Sequence, residues 1–206
     1  MIIPAIISTS QKNLLEKIEL VKPYVKRVHI DIMDGSLTEY STIHPKEIKN
    51  IDIPSEVHFM CNNPSSYIND IKGSLAEKVI IHKEIDYFEK EVSLFKDSFI
   101  IYGAIDLNTQ AQEIEEFMEI LDGVMVMSVK IGKGGQSFNP SVLKKVRTLE
   151  KITNNIEIDG GITLGNINKC KIAGGKDFAI GSSIYKSENI KQTLIDFENL
   201  IKDSRA

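Results

Sequence analysis

Residues 28–35 read VHIDIMDG, and this stretch decides how the rest of the chain is read. Val28, Ile30 and Ile32 alternate with His29, Asp31 and Met33. A period of two is that of a β-strand, whose successive side chains point to opposite faces. One face is wholly aliphatic, and the other carries an imidazole and a carboxylate. A carboxylate buried in a strand is costly unless it has a partner. The stretch therefore poses a fold question and a chemical one: what packs on each face, and what the partner is.

Outward from this strand, β-rich segments alternate with amphipathic ones along the whole chain. Further strands are expected at 2–7, 55–60, 76–82, 99–105, 123–129, 155–159 and 176–182. Between them, apolar residues at helical spacing predict helices at 11–24, 64–74, 85–97, 109–120, 139–152, 164–174 and 188–201, with a short helical turn at 45–51. Strict β–α alternation predicts a parallel sheet. Eight units favour a closed barrel over an open sheet. The expected fold is therefore α/β, a single (β/α)8 TIM barrel forming one domain over 1–206. In a barrel, Val28, Ile30 and Ile32 face the helices. His29, Asp31 and Met33 face the axis near the strand's C-terminal end, where barrel active sites lie.

The same alternation recurs on three other strands. His58 and Met60 oppose Val57 and Phe59; Met125 and Met127 oppose Val124 and Val126; Glu157 and Asp159 oppose Ile156 and Ile158. A lone inward histidine is more often a hydrogen-bonded core group, and a lone aspartate after a strand a helix cap. Four such residues in phase with one interior are harder to explain that way. His29, Asp31, His58 and Asp159 form a set suited to one divalent ion: zinc, iron, manganese or cobalt. That ion is the expected partner of the buried charges. The methionines Met33, Met60 and Met127 share the same inner position.

Glycine-rich KIGKGGQ (130–136) and GSS (181–183) follow the sixth and eighth strands, where backbone amides can approach an anion. An isolated GG is otherwise a tight turn, and no GxxxxGK[ST] supports a nucleotide P-loop. The net charge of −4 implies no attraction to nucleic acid or anionic membrane. No apolar run is long enough to span a bilayer. Cys61 and Cys170 form no CxxC pair, and the start MIIPAIISTSQ fits a first strand better than a leader, so a cytoplasmic setting is expected.

In this order, VHIDIMDG, VHFMCNNP, VMVMSVKIGKGGQSF, IDGGI and AIGSSIY resemble the ribulose-phosphate 3-epimerase family over essentially the full length. The resemblance implies a TIM barrel that inverts C3 of a ketose phosphate through a metal-stabilised enediolate. It implies that His29, Asp31, His58 and Asp159 are the metal ligands, and that Asp31 and Asp159 are also the two acid/base carboxylates. His58, Met33, Met60, Met127, Gly132, Lys133, Gly134, Gly135, Gly160, Gly161, Gly181 and Ser182 become the substrate and phosphate contacts. The implied partner is a small sugar phosphate, in a homo-oligomer of the pentose phosphate pathway.

The chain departs from the family where substrate is held. Ala5 stands for a serine that reaches the sugar, LTEY (37–40) replaces the usual loop after strand two, and Ile131 and Lys133 replace a proline and a phenylalanine. D-ribulose 5-phosphate is the first substrate expected. A hexulose phosphate such as D-allulose 6-phosphate is the alternative. A catalytically silent sugar-phosphate-binding barrel is the reading of another class, and the intact carboxylates argue against it. His44 and His82 receive no role.

Overall fold

Eight parallel strands close on themselves in the computed structural model: β1 (Ile2–Ile6), β2 (Val28–Met33), β3 (Ser55–Met60), β4 (Ala76–His82), β5 (Ile100–Ile105), β6 (Gly123–Met127), β7 (Ile156–Asp159) and β8 (Asp177–Ile180). Each pairs with its sequence neighbours, and β8 returns to β1. The helices are α1 (Gln11–Val21), α2 (Ile68–Ile71), α3 (Phe88–Phe95), α4 (Gln112–Glu115), α5 (Val142–Leu149), α6 (Ile167–Ile172), α7 (Ser182–Tyr185) and α8 (Ile190–Lys202). The expected (β/α)8 TIM barrel is thus present. The structure describes residues 1–203, so the last three residues of the expected 1–206 span lie outside it.

The alternation works as anticipated. Val28, Ile30, Ile32, Val57, Phe59, Val124, Val126, Ile156 and Ile158 belong to the large apolar layer between strands and helices. Ser10 and Asn189 cap α1 and α8, accepting from Asn13 N and Gln192 N, which satisfies amides that a helix start leaves unpaired. Inside the barrel the apolar filling is small: Ile80, Tyr102, Ala104, Met125, Met127 and Val129. Buried Met33 and Met60 share this interior with a set of titratable side chains. His29, Asp31, Glu56, His58, Lys78, His82, Glu157 and Asp159 are all buried.

Several helices are shorter than their sequence pattern. The expected helix over 109–120 contracts to the four residues of α4, flanked by tighter turns such as Phe117 N to Ile114 O and Ile120 N to Phe117 O. Glu113, Glu115, Glu116 and Glu119 place like charges three and four positions apart, which weakens a regular helix. The expected helix over 64–74 is a 3-10 turn, Pro64–Tyr67, leading into the short α2. A short extra helix, α7, follows β8 before the expected terminal one.

Candidate active site

Register brings the inward residues together. Asp31 pairs across to His58 and Met33 to Met60, and Met127 pairs to Asp159. The strand ends are tied down by hydroxyls. Thr42 Oγ1 donates to Asp31 O and accepts from Met33 N, and Ser128 Oγ donates to Asp159 O.

His29 Nε2 lies 3.3 Å from Asp31 Oδ1 and 3.3 Å from His58 Nδ1. His58 Nδ1 is 2.9 Å from Asp31 Oδ1 and 4.0 Å from Asp159 Oδ2. One ligand atom from each of the four residues falls within 4.8 Å of all the others. Ligands about 2.0–2.2 Å from a tetrahedral centre stand about 3.3–3.6 Å from one another. The donor set and its spacing therefore fit a divalent ion.

The outward ring nitrogens fit as well. His29 Nδ1 lies 2.7 Å from Glu56 Oε1. His58 Nε2 lies 2.9 Å from His82 Nε2, and His82 Nδ1 lies 2.8 Å from Glu84 Oε2. The network assigns the tautomers: Nδ1–H of His82 donates to Glu84, so its Nε2 accepts from His58 Nε2–H. The Nδ1 lone pair of His58 is then left facing the cluster. Outer partners of this kind orient metal-binding histidines.

The two aspartates have opposite proton affinities. Burial, with the Asp31 charge beside it, pushes the Asp159 carboxyl up to about 8. Burial also disfavours ionised Asp31, but the charge of His29 and its hydrogen bond outweigh it and hold that carboxyl well below its ordinary range. Burial is the main cause that lowers His58 to about 4.

Above the cluster lies a cavity lined by Ala5, Asp31, Met60, Met127, Lys133 and Asp159 together with Gly132, Gly134, Gly135, Gly160, Gly161, Gly181 and Ser182. Almost the whole expected substrate set thus shares one space. His29 and His58 are fully buried beneath it, and Met33, 2% exposed, does not line it. The DGG turn needs its glycines. Gly161 has φ 61°, and a methyl group there would meet Phe138 N at 2.4 Å. Tyr40 and Thr38 pack within 2.9 and 3.1 Å of a methyl placed on Gly132, so two of the divergent loops touch each other.

Sequence reasoning missed several groups. Glu56 is in phase with His58, and Lys78 with His82, so period two could have placed them inside. His82, left without a role, is the outer partner of His58. A neighbouring hollow of about 350 Å³ on the glycine loops adds Lys17, Tyr185 and Lys186.

A closed (β/α)8 barrel with a histidine–carboxylate cluster under a glycine-lined cavity at its strand ends defines a barrel enzyme with a metal-competent centre. The sequence profile of the ribulose-phosphate 3 epimerase family matches residues 1–185, and the chain belongs to that family of carbohydrate isomerases. It is 29% identical over 212 residues to the ribulose-phosphate 3-epimerase of Schizosaccharomyces pombe, covering 97% of this chain and 93% of that one. It is 32% identical over 189 residues to the enzyme of Encephalitozoon cuniculi, covering 89% and 87%. Among solved structures, a 3-hexulose-6-phosphate synthase superposes with a TM-score of 0.69 at 15% identity, covering 97% of this chain and 98% of that one. That likeness concerns the fold alone. No helix among the described residues is long and apolar enough to cross a membrane.

Proposed function

We propose that the chain inverts C3 of a ketose phosphate, converting D-ribulose 5-phosphate to D-xylulose 5-phosphate, with Asp31 and Asp159 as its two acid/base groups. The observation that carries this reading is their placement. They come from the non-adjacent strands β2 and β7, meet at one cluster, and both line the cavity. Inversion requires a proton to leave one face of the carbon and another to arrive at the opposite face. Two carboxylates can do this, one unprotonated as base and one protonated as acid, exchanging roles with the direction of reaction.

His29, Asp31, His58 and Asp159 would hold the divalent ion. When bound, the ion supplies positive charge to stabilise the oxyanion that develops as the proton leaves carbon beside a ketone. Met60 and Met127 exclude water from the reacting carbon without offering protons of their own. Glu56 and His82 orient the two imidazoles. The loops bearing Gly134, Gly135, Gly181 and Ser182 receive the phosphate, with Lys133 contributing charge at the rim.

The test is ion-loaded protein in deuterated water with D-ribulose 5-phosphate and with D-allulose 6-phosphate. Epimerisation with solvent deuterium entering C3 of the pentulose is expected. A strong preference for the hexulose would overturn the choice of substrate. No exchange on either sugar would favour a binding barrel without turnover.

A further inference from the structure

The barrel interior below the cluster contains a second group of charges. Lys78, on β4, points inward and is only 2% exposed. Its Nζ lies 2.8 Å from Glu56 Oε2 and 2.8 Å from Glu157 Oε2, and 4.2 Å from the centre of the Tyr102 ring. Each carboxylate turns its other oxygen towards His29 Nδ1: Glu56 Oε1 at 2.7 Å and Glu157 Oε1 at 3.4 Å. Both glutamates are fully buried.

This arrangement is costly to desolvate. It also satisfies the spacing of a cation site in its own right, because His29, Glu56 and Glu157 each bring a ligand atom within 4.8 Å of the others. The ammonium already sits between the two glutamates, so the chain supplies that cation itself. Without it, two neighbouring buried carboxylates would repel one another, and neither would be held against His29.

We propose that Lys78 is a positioning residue of the metal centre, pinning Glu56 and Glu157 so that His29 keeps Nδ1 on Glu56 and Nε2 towards the other three ligands. The proposal rests on the reading that His29, Asp31, His58 and Asp159 hold a divalent ion. A plain structural ion pair would affect folding but leave ion binding by the folded protein unchanged. A positioning residue changes the ion site itself.

The experiment measures Zn(II) affinity by chelator competition and the visible spectrum of the Co(II) form, in wild type, Lys78→Met and Lys78→Arg. We expect Lys78→Met to bind Zn(II) about tenfold or more weakly and to shift the Co(II) bands, the size of effect common for outer-shell losses. Lys78→Arg, which keeps the cation, should stay within about threefold of wild type. Folded Lys78→Met with wild-type affinity and spectrum would overturn the proposal while leaving the metal reading intact. Wild type that binds neither ion would overturn the metal reading, and this proposal with it. If Lys78→Met does not fold, the charge-balanced Lys78→Met/Glu157→Gln protein serves, since Glu56 still loses its anchor. Weakened binding there supports the role, and unchanged binding ends it.

Discussion

The Nε2 atoms of His58 and His82 lie 2.9 Å apart, and the two rings stack at an interplanar angle of 24°. Glu84 accepts a hydrogen bond from His82 Nδ1–H and also accepts from Asp106 N and the Thr109 hydroxyl. The position of a proton on His58 is thus set from outside the site, by His82 on the neighbouring strand β4 and Glu84 just after it. His82→Phe removes the acceptor and frees that tautomer. Divalent-ion affinity should fall about 10–100-fold, while His82→Gln, which keeps an acceptor oxygen, should lose less. Chelator competition on folded protein checks this, and equal affinity in all three proteins would refute it.

Asp31→Asn and Asp159→Asn each remove one proton carrier. Turnover of D-ribulose 5-phosphate should drop by about 10²–10⁴-fold or more in either variant. Because both residues are also ion ligands, the assay is run at saturating ion and the bound ion is quantified. Substantial turnover in either variant would refute the two-carboxylate assignment.

Ala5 lines the cavity beside Gly181 and Ser182, and its carbonyl oxygen would lie 3.2 Å from a methyl group on Gly181. A serine hydroxyl at this position would point a donor into the space given to the sugar. Ala5→Ser should raise kcat/KM for D-ribulose 5-phosphate severalfold, consistent with about 1 kcal/mol from one hydrogen bond. An unchanged or lower value would mean that the surrounding loops are fitted to another sugar.

Gly161→Ala forces a side chain onto a left-handed residue and into the backbone at Phe138. Strain and overpacking together should cost about 2–4 kcal/mol in urea unfolding. Gly165→Ala is the control, since its methyl would meet only Thr163 Oγ1 at an ordinary 3.7 Å; it should stay within about 0.5 kcal/mol.

Burial pushes both thiols, Cys61 and Cys170, up to about 12. Both should resist iodoacetamide at pH 8 in the native protein and react fully once it is unfolded, because the thiolate is the nucleophile. Mass spectrometry reads the result, and rapid native labelling would contradict it.

Much of the molecule was legible in residues 28–35 and their three echoes. A strict period of two with aliphatic residues on one face admits one arrangement when eight such strands alternate with helices. The position of a side chain along a strand then states which way it points. Strand existence, the outward apolar layer and the inward His29, Asp31, His58 and Asp159 follow from local rules, each acting over a few residues. Helix length did not follow. Across 109–120 the apolar spacing is helical, yet like charges and the packing available leave only Gln112–Glu115 regular.

The charged interior was decided by closure of the barrel. Lys78 and Glu157 are 79 positions apart in sequence and 2.8 Å apart in space. No periodicity within β4 or β7 reports that contact. Alone, an inward lysine looks like a misplaced surface residue, an inward glutamate like an unpaired charge, and His82 like one more core histidine. Lys78 and Glu157 become intelligible only when strands that never adjoin face each other across the axis, and His82 only when β4 lies beside β3, because a buried charge is tolerated through its neighbours in space. The alternation of residues chose the faces; the closing of the sheet chose the partners.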